Sequence, residues 1–96
     1  YYFLMDRQRN YRRMGKKVAG IFQELDTAAL DTTHGYDADT SYSLKVRISG
    51  TQLNAYLNDE LVLSGQDASL PGAGRAGLFS WGSAGVHFDN FRIVDL

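Results

Sequence analysis

The clearest alternation of apolar and polar residues lies in the middle of the chain. Residues 42–49 and 52–57 each place apolar side chains at every second position, and a turn at Gly50-Thr51 separates the two stretches. A period of two is typical of a β-strand with one buried face. The pattern therefore predicts two strands with Asn54 and Tyr56 pointing outward. The inward-facing side chains are predicted to be Tyr42, Leu44, Val46, Ile48, Leu53, Ala55 and Leu57.

Two further strands are predicted towards the end of the chain, after a hairpin partner at residues 61–63. In the last of them Val86 and Phe88 occupy even-numbered positions, whereas Phe91 and Ile93 occupy odd-numbered positions. In a regular strand these two pairs would face opposite sides. A strand changes its apolar face in this way when it contains one extra residue. We therefore expect a β-bulge at Asp89-Asn90. The segments in this half are strands at 61–63, 76–81 and 86–94, with a tight turn at 58–60 and a glycine-rich connection at 66–75.

The first 25 residues are also predicted to form strands. The spacing of Val18, Ile21, Phe22 and Leu25 fits a helical stripe as well, but Gly20 interrupts it and no capping residue precedes it, which favours a strand. With these segments the chain has about eight strands and no helix, a pattern typical of a sandwich or barrel. The predicted segments are strands at 1–6, 11–14 and 17–25, a turn at 7–10, a break at 15–17 and a loop at 26–41.

Composition limits the range of functions. The chain has 96 residues, of which 44% are hydrophobic and 22% charged, so residues 1–96 are expected to form a single domain. It has no cysteine, which excludes disulfides and thiolate metal sites. No run of about 18 apolar residues is present, and we therefore expect no membrane span. The chain opens on Tyr1-Tyr2 rather than on methionine, and we expect it to be part of a longer protein.

Charge is distributed unevenly. Residues 1–17 have a net charge of +5, whereas the rest of the chain has −6. The basic segment contains several tyrosines, and Arg12 and Arg13 are candidate ligands for an acidic glycan. The alternative is a solvated hairpin whose charges protect an edge strand. The near-neutral net charge of −1 argues against nucleic acid as a partner.

Candidate binding residues are few. A flat aromatic ring can stack on a sugar, so Tyr56 and Trp81 are candidates, although its surroundings favour a core position for Trp81. Asp89 and Asn90 are candidate calcium ligands because calcium prefers carboxylate and carbonyl oxygens; the alternative is that they satisfy backbone groups at the bulge. Glycosidases need paired carboxylates on one face, whereas the adjacent pair Asp59-Glu60 is typical of a turn.

Several stretches of the second half resemble a known family. They are Tyr42-Ser43-Leu44-Lys45-Val46-Arg47-Ile48-Ser49-Gly50, Leu53-Asn54-Ala55-Tyr56-Leu57-Asn58-Asp59-Glu60, Gly74-Arg75-Ala76-Gly77-Leu78-Phe79 and Phe88-Asp89-Asn90-Phe91-Arg92-Ile93. Together they resemble the C-terminal part of concanavalin A-like, laminin-G-like jelly-roll modules. The resemblance implies an all-β, antiparallel jelly-roll β-sandwich that is incomplete in this chain. The remaining strands would then come from the other half of the sandwich or from a second copy.

The resemblance implies a role in binding. We expect a non-catalytic carbohydrate-binding or adhesion module of a larger exported protein, located outside the cell or at its surface, with a glycan or a protein as partner. The alternative is a structural or assembly domain that packs on other chains without binding sugar. A third and weaker hypothesis is part of a glycoside hydrolase or polysaccharide lyase whose catalytic strands lie elsewhere.

Overall fold

The computed structural model describes residues 1–9, 11–25, 30–32, 36–37, 39–70, 74–80 and 85–94. These residues form seven β-strands and no helix, in agreement with the predicted all-β class. The strands are β1 (Tyr2–Asp6), β2 (Tyr11–Val18), β3 (Ile21–Gln23), β4 (Leu30–Asp31), β5 (Leu44–Ser49), β6 (Gln52–Leu57) and β7 (Glu60–Gln66).

The first sheet is built around β2, and every pairing in it is antiparallel. β1 pairs with β2 from Tyr2 opposite Gly15 to Asp6 opposite Tyr11. β3 and β4 pair with two different parts of β2, namely its last three residues and the pair Arg12 and Arg13. The predicted strand over residues 1–6 and the turn after it are thereby confirmed.

A two-residue turn joins β2 to β3, which corrects the single strand predicted over residues 17–25. Ala19 and Gly20 both have positive φ, at 50° and 81°. This is the conformation of a type I′ turn, whose backbone twist matches that of the strands it joins. The sequence concealed the turn because alanine is an unusual residue in the left-handed region.

The predicted break at Gly15-Lys16-Lys17 is also wrong, because β2 runs through all three residues. Gly15 provides the space that the ring of Tyr2 occupies, since a Cβ there would lie 2.5 Å from the Tyr2 hydroxyl. The ring of Tyr2 packs edge-on against Phe22 at 5.7 Å, and the ammonium of Lys17 lies 4.6 Å from the Phe22 ring centre. Cross-strand packing therefore keeps this polar, glycine-containing stretch extended.

The second sheet has the antiparallel order β5-β6-β7 and agrees closely with the alternation of the sequence. Leu44 pairs with Leu57 and Ile48 pairs with Leu53, so the predicted apolar residues share one face. The turn between β6 and β7 again has two positive φ values, 51° at Asn58 and 66° at Asp59. A β-bulge lies in this hairpin, between Ala55 and Tyr56, rather than at the predicted Asp89-Asn90.

The two sheets pack face to face through β2 and β4, which contact β7. The core between them consists of Met14 and Leu25 from the first half of the chain and Leu53, Ala55 and Leu63 from the second sheet. This two-layer arrangement is that of a β-sandwich.

The first sheet does not cover β5. Leu44, Val46 and Ile48 lie on the same face as the buried residues of β6, yet they are 49%, 45% and 47% exposed. The prediction that they are buried is therefore wrong, because sequence alternation identifies a face but not how far a second layer extends over it. We call these three residues the apolar row.

A buried ion pair ties the first sheet to the end of β7. The ammonium of Lys16 lies 2.7 Å from a carboxylate oxygen of Asp67, and the two side chains are only 10% and 2% exposed. Lys16 also donates to the Ser69 hydroxyl at 2.8 Å, and the Tyr1 hydroxyl donates to Asp67 at 2.8 Å. The Ser69 hydroxyl in turn donates to Asp67 at 2.6 Å. Each buried charge thus takes part in at least two hydrogen bonds.

The strands predicted at the C-terminal end are not formed. Residues 74–80 and 85–94 have no strand pairing, and Asn90 has a positive φ of 56°. Large apolar side chains along both segments are exposed, which shows that no described layer covers them. They are Leu78, Phe79, Val86, Phe88, Phe91, Ile93 and Val94.

Among the described residues, no helix is long and apolar enough to cross a membrane.

The left-handed conformation of Ala19 predicts a stabilising substitution. Ala19→Asn is expected to raise the free energy of unfolding by about 0.5 to 1 kcal/mol, because asparagine adopts positive φ at lower cost than alanine. Urea unfolding followed by circular dichroism measures the change. Ala19→Val, which introduces β-branching at the same position, should lower stability. The turn assignment would be contradicted by an Ala19→Asn variant no more stable than the parent.

The buried ion pair predicts a pH-dependent contribution to stability. The hydrogen bond from Lys16, followed by that from Ser69, holds the pKa of Asp67 well below its usual range. A carboxyl whose pKa is lowered by folding stabilises the folded state above its unfolded pKa of about 3.9, and this contribution is lost as pH falls below that value.

Asp67→Asn should therefore lower the melting temperature at pH 7 by about 10 °C or more, since it leaves the Lys16 ammonium buried without a counter-charge. The difference from the parent should shrink below pH 4 in thermal melts followed by circular dichroism. Glu24→Gln is the control, because it removes the carboxylate of a pair in which Glu24 is 84% exposed and should change little. Equal effects of the two substitutions would refute a special role for Asp67.

Candidate functional site

The face of the second sheet that points away from the core is polar and open to solvent. We call it the outer face. β5 and β7 contribute exposed side chains to it, and β6 contributes partly buried ones between them. Its members are Lys45, Arg47, Ser49, Gln52, Asn54, Tyr56, Leu61, Ser64 and Gln66.

Hydrogen bonds between side chains connect the polar residues of β6 and β7. Gln66 donates to the side-chain oxygen of Gln52 at 3.0 Å, and Gln52 donates to that of Asn54 at 3.0 Å. The Ser64 hydroxyl donates to the same Asn54 oxygen at 2.9 Å. These bonds reduce the number of conformations open to the four side chains, so the amide groups are held in place before any ligand arrives.

Tyr56 lies on the outer face, as predicted from the alternation. Lys45 is opposite it on β5, and the Lys45 ammonium lies 4.4 Å from the centre of the Tyr56 ring. A cation at this distance is attracted to the negative face of an aromatic ring. Ring and cation therefore form one unit beside the amide groups.

Arg47 is the second cation of the outer face. It pairs with Asn54, is exposed, and has no acidic partner among the described residues. A guanidinium group offers five N–H donors in a planar arrangement, which suits carboxylates, sulfates and other planar or anionic acceptors. This donor set points into solvent and is available to a ligand.

The predicted ligand residues Arg12 and Arg13 are not brought together. Adjacent residues of β2 point to opposite faces, and Arg12 is buried between the sheets, with one terminal nitrogen 3.8 Å from Asp31. Its Nε has no hydrogen-bond partner in the part of the chain that the structure describes. Arg13 points to the other side, where it lies 3.5 Å from the exposed Glu24. A single glycan cannot contact both guanidinium groups from one side of the sheet.

The remaining predicted residues lie in the C-terminal part. Trp81 falls outside the described residues. Asp89 and Asn90 are exposed, and the Asp89 carboxylate accepts a hydrogen bond from the backbone N–H of Asn90 at 2.8 Å. The described residues contain no group of three or more His, Cys, Asp or Glu side chains that could hold a metal ion. Calcium binding at Asp89 and Asn90 stays a prediction.

The cluster around Lys16, Asp67 and Ser69 contains the residue types of a hydrolytic site, but its geometry suits a structural role. The lowered pKa makes the Asp67 carboxylate a weak base, and it already accepts hydrogen bonds from Lys16, Ser69 and Tyr1. The Ser69 hydroxyl accepts from Lys16, so the ammonium is its donor rather than its base. These contacts hold the sheets together and leave no base for activating the serine.

Sequence reasoning missed both cations of the outer face. Lys45 and Arg47 occupy the polar positions of the alternation in β5, which is the signal that could have identified them. Their relation to Tyr56 depends on the register between β5 and β6, which the alternation alone does not determine.

No family model, no curated protein and no solved structure matches this chain.

Proposed function

We propose that this chain is a non-catalytic glycan-binding or adhesion module that holds its ligand on the outer face of the second sheet. The observation that carries the proposal is the combination of Tyr56 and Lys45 with the hydrogen-bonded amide groups of Gln52 and Asn54. Aromatic rings offer an apolar surface to the flat side of a sugar, and amide and hydroxyl groups match its hydroxyl groups.

The shape of the outer face supports an extended ligand. Three adjacent strands spaced about 4.8 Å apart form a surface rather than an enclosed pocket. An open surface of this kind contacts several units of a polymer at once, whereas enclosure of a small molecule requires a concave site. We therefore propose a polysaccharide or a glycan chain as the ligand, in line with the role expected from the sequence resemblance.

The family and location that we propose rest on that resemblance. We propose a jelly-roll module of the concanavalin A-like type within a larger exported protein that acts outside the cell or at its surface. The two antiparallel sheets are compatible with such a module. Catalysis is not part of the proposal, because the most connected polar cluster is buried and has a weakly basic carboxylate.

Assembly without sugar binding is the second candidate, and the apolar row favours it. Three neighbouring inward positions of β5 are each nearly half exposed, and β5 is an edge strand that pairs on one side only with the other strands described in the structure. An exposed apolar face at a sheet edge promotes association with another chain. A second copy of this chain or the other half of a sandwich would supply the missing cover.

Loss of the Tyr56 ring tests the glycan hypothesis. Tyr56→Ala should weaken binding to soluble polysaccharides by about fivefold or more, because stacking on an aromatic ring contributes on the order of 1 kcal/mol or more. Tyr56→Phe, which keeps the ring, should retain most of the affinity. Affinity electrophoresis against a panel of neutral and acidic polysaccharides gives the comparison. Equal migration of Tyr56→Ala and the parent through every gel would refute this site.

A charge in the apolar row tests the assembly hypothesis. Val46→Glu should convert an associated species to a monomer, since burial of a carboxylate in an apolar interface is strongly unfavourable. Sedimentation velocity at several concentrations measures the change. Ile21→Glu is the control, because Ile21 is also exposed but lies on β3 of the other sheet. A parent chain that stays monomeric at high concentration rules out assembly with its own copies.

A further inference from the structure

We infer that the ligand of the outer face is an acidic polysaccharide whose carboxylate or sulfate groups are bound by Lys45 and Arg47. This inference rests on the proposed glycan-binding function and names the class of glycan. It assigns the charged contacts to β5 of the second sheet rather than to the basic segment at the beginning of the chain.

The first argument is the charge of the outer face. Among the described residues, its nine members include two cations and no carboxylate. The chain as a whole has a net charge of −1, so the charge of this face is opposite in sign to that of the whole chain. A positively charged face attracts anions selectively and raises their local concentration. A neutral glycan would not be attracted by this charge.

The second argument is the direction of the hydrogen bonds in the amide network. The side-chain oxygens of Gln52 and Asn54 are occupied by donors from Gln66, Gln52 and Ser64. The amide N–H groups of Asn54 donate to no described residue, and Arg47 is the partner of Asn54 in the strand register. Donors therefore predominate at this point of the surface. An oxyanion accepts such bonds without offering a competing donor.

The third argument is the spacing of the two cations. Lys45 and Arg47 are two residues apart on one strand, and this places their Cα atoms about 7 Å apart on the same face. Lys45 is opposite Tyr56, and Arg47 is opposite Asn54. The strand thus has two cationic side chains in a line, and each is paired with an uncharged residue of β6. A polymer with repeated anionic groups can engage both positions, and each contact strengthens the other through effective concentration.

The fourth argument is that four other cations of the chain differ from Arg47, because each of them is paired with a carboxylate. Arg12, Arg13 and Lys16 each lie within 4 Å of a carboxylate, at Asp31, Glu24 and Asp67 respectively. Arg9 is paired with Asp6 in the same way. These four charges are already compensated inside the protein. Arg47 keeps its full charge for a ligand, and Lys45 is attracted only to an uncharged ring.

The experiment compares two forms of one polymer. Polygalacturonate and its fully methyl-esterified form share the same backbone but differ in charge. Isothermal titration calorimetry on the whole chain should show at least tenfold tighter binding of the acidic form in 20 mM salt, and the difference should shrink at 500 mM because salt screens exposed charges. Dextran sulfate and neutral dextran provide the same comparison for sulfate groups.

Substitutions then locate the contact. The double variant Lys45→Gln and Arg47→Gln should lose tenfold or more in affinity for the acidic polymers, a loss several times larger than its loss for the neutral forms. Arg7→Gln together with Arg75→Gln makes the same change in net charge at exposed positions outside the three strands of the second sheet and should change affinity less than twofold.

The possible failures are distinguishable. Equal binding of acidic and neutral polymers, abolished by Tyr56→Ala, would overturn the inference and leave the glycan-binding function standing. Equal losses in the double variant and in the control pair would also overturn it, because they would indicate attraction to net charge alone. Absence of binding to every polymer tested would overturn the inference together with the function on which it rests.

Discussion

The contact between Lys16 and Asp67 determines how the two halves of the molecule are arranged. The hydrophobic cluster between the sheets is small, with five buried apolar side chains among the described residues, and it supplies little directional information. A buried ion pair is different, because each charge requires its partner at a fixed distance and orientation. Lys16 lies on β2 and Asp67 directly follows β7, so their contact fixes the position of one sheet on the other.

This arrangement explains why β5 is uncovered. The ion pair and the contacts of β2 and β4 bring the first sheet over β7, at one edge of the second sheet. β6 lies next to that edge and is buried on its inner face, whereas β5 lies at the far edge, beyond the first sheet. The exposure of Leu44, Val46 and Ile48 is therefore a consequence of where the sheets are joined. Their apolar character is what an additional layer would require.

The sequence predicted well those features that depend on local pattern. Alternation over β5 and β6 gave both strands, the faces of Leu53 and Tyr56 and the hairpin at Asn58-Asp59, because the period of two is a property of the strand itself. The prediction failed where contacts between residues distant in the sequence determine the local structure. Lys16 belongs to a strand because Tyr2 packs over Gly15 and because the Asp67 carboxylate forms an ion pair with the Lys16 ammonium. Tyr2 and Asp67 are both distant from Lys16 in the sequence.

The candidate site was predictable to a similar degree. Tyr56 could be identified as outward-facing, but its association with Lys45 depends on the pairing of β5 with β6. Arg12 and Arg13 suggested a basic site by composition, and the strand separates them because neighbouring residues face opposite sides. The failure at residues 86–94 has another origin: an alternating apolar pattern indicates that a segment can pair, but it does not determine whether the segment reaches a strand edge.

The two faces of β5 connect the two functional hypotheses. Lys45 and Arg47 point outward, and Leu44, Val46 and Ile48 point inward, so one edge strand carries both the charged contacts and the uncovered apolar row. An edge strand, which is hydrogen-bonded to a neighbour on one side only, retains more backbone freedom than a central strand. A chain that covered the apolar row would restrict the backbone of β5 and thereby hold both cations in register with Tyr56. Assembly at the inner face would then increase affinity at the outer face by lowering the entropic cost of binding.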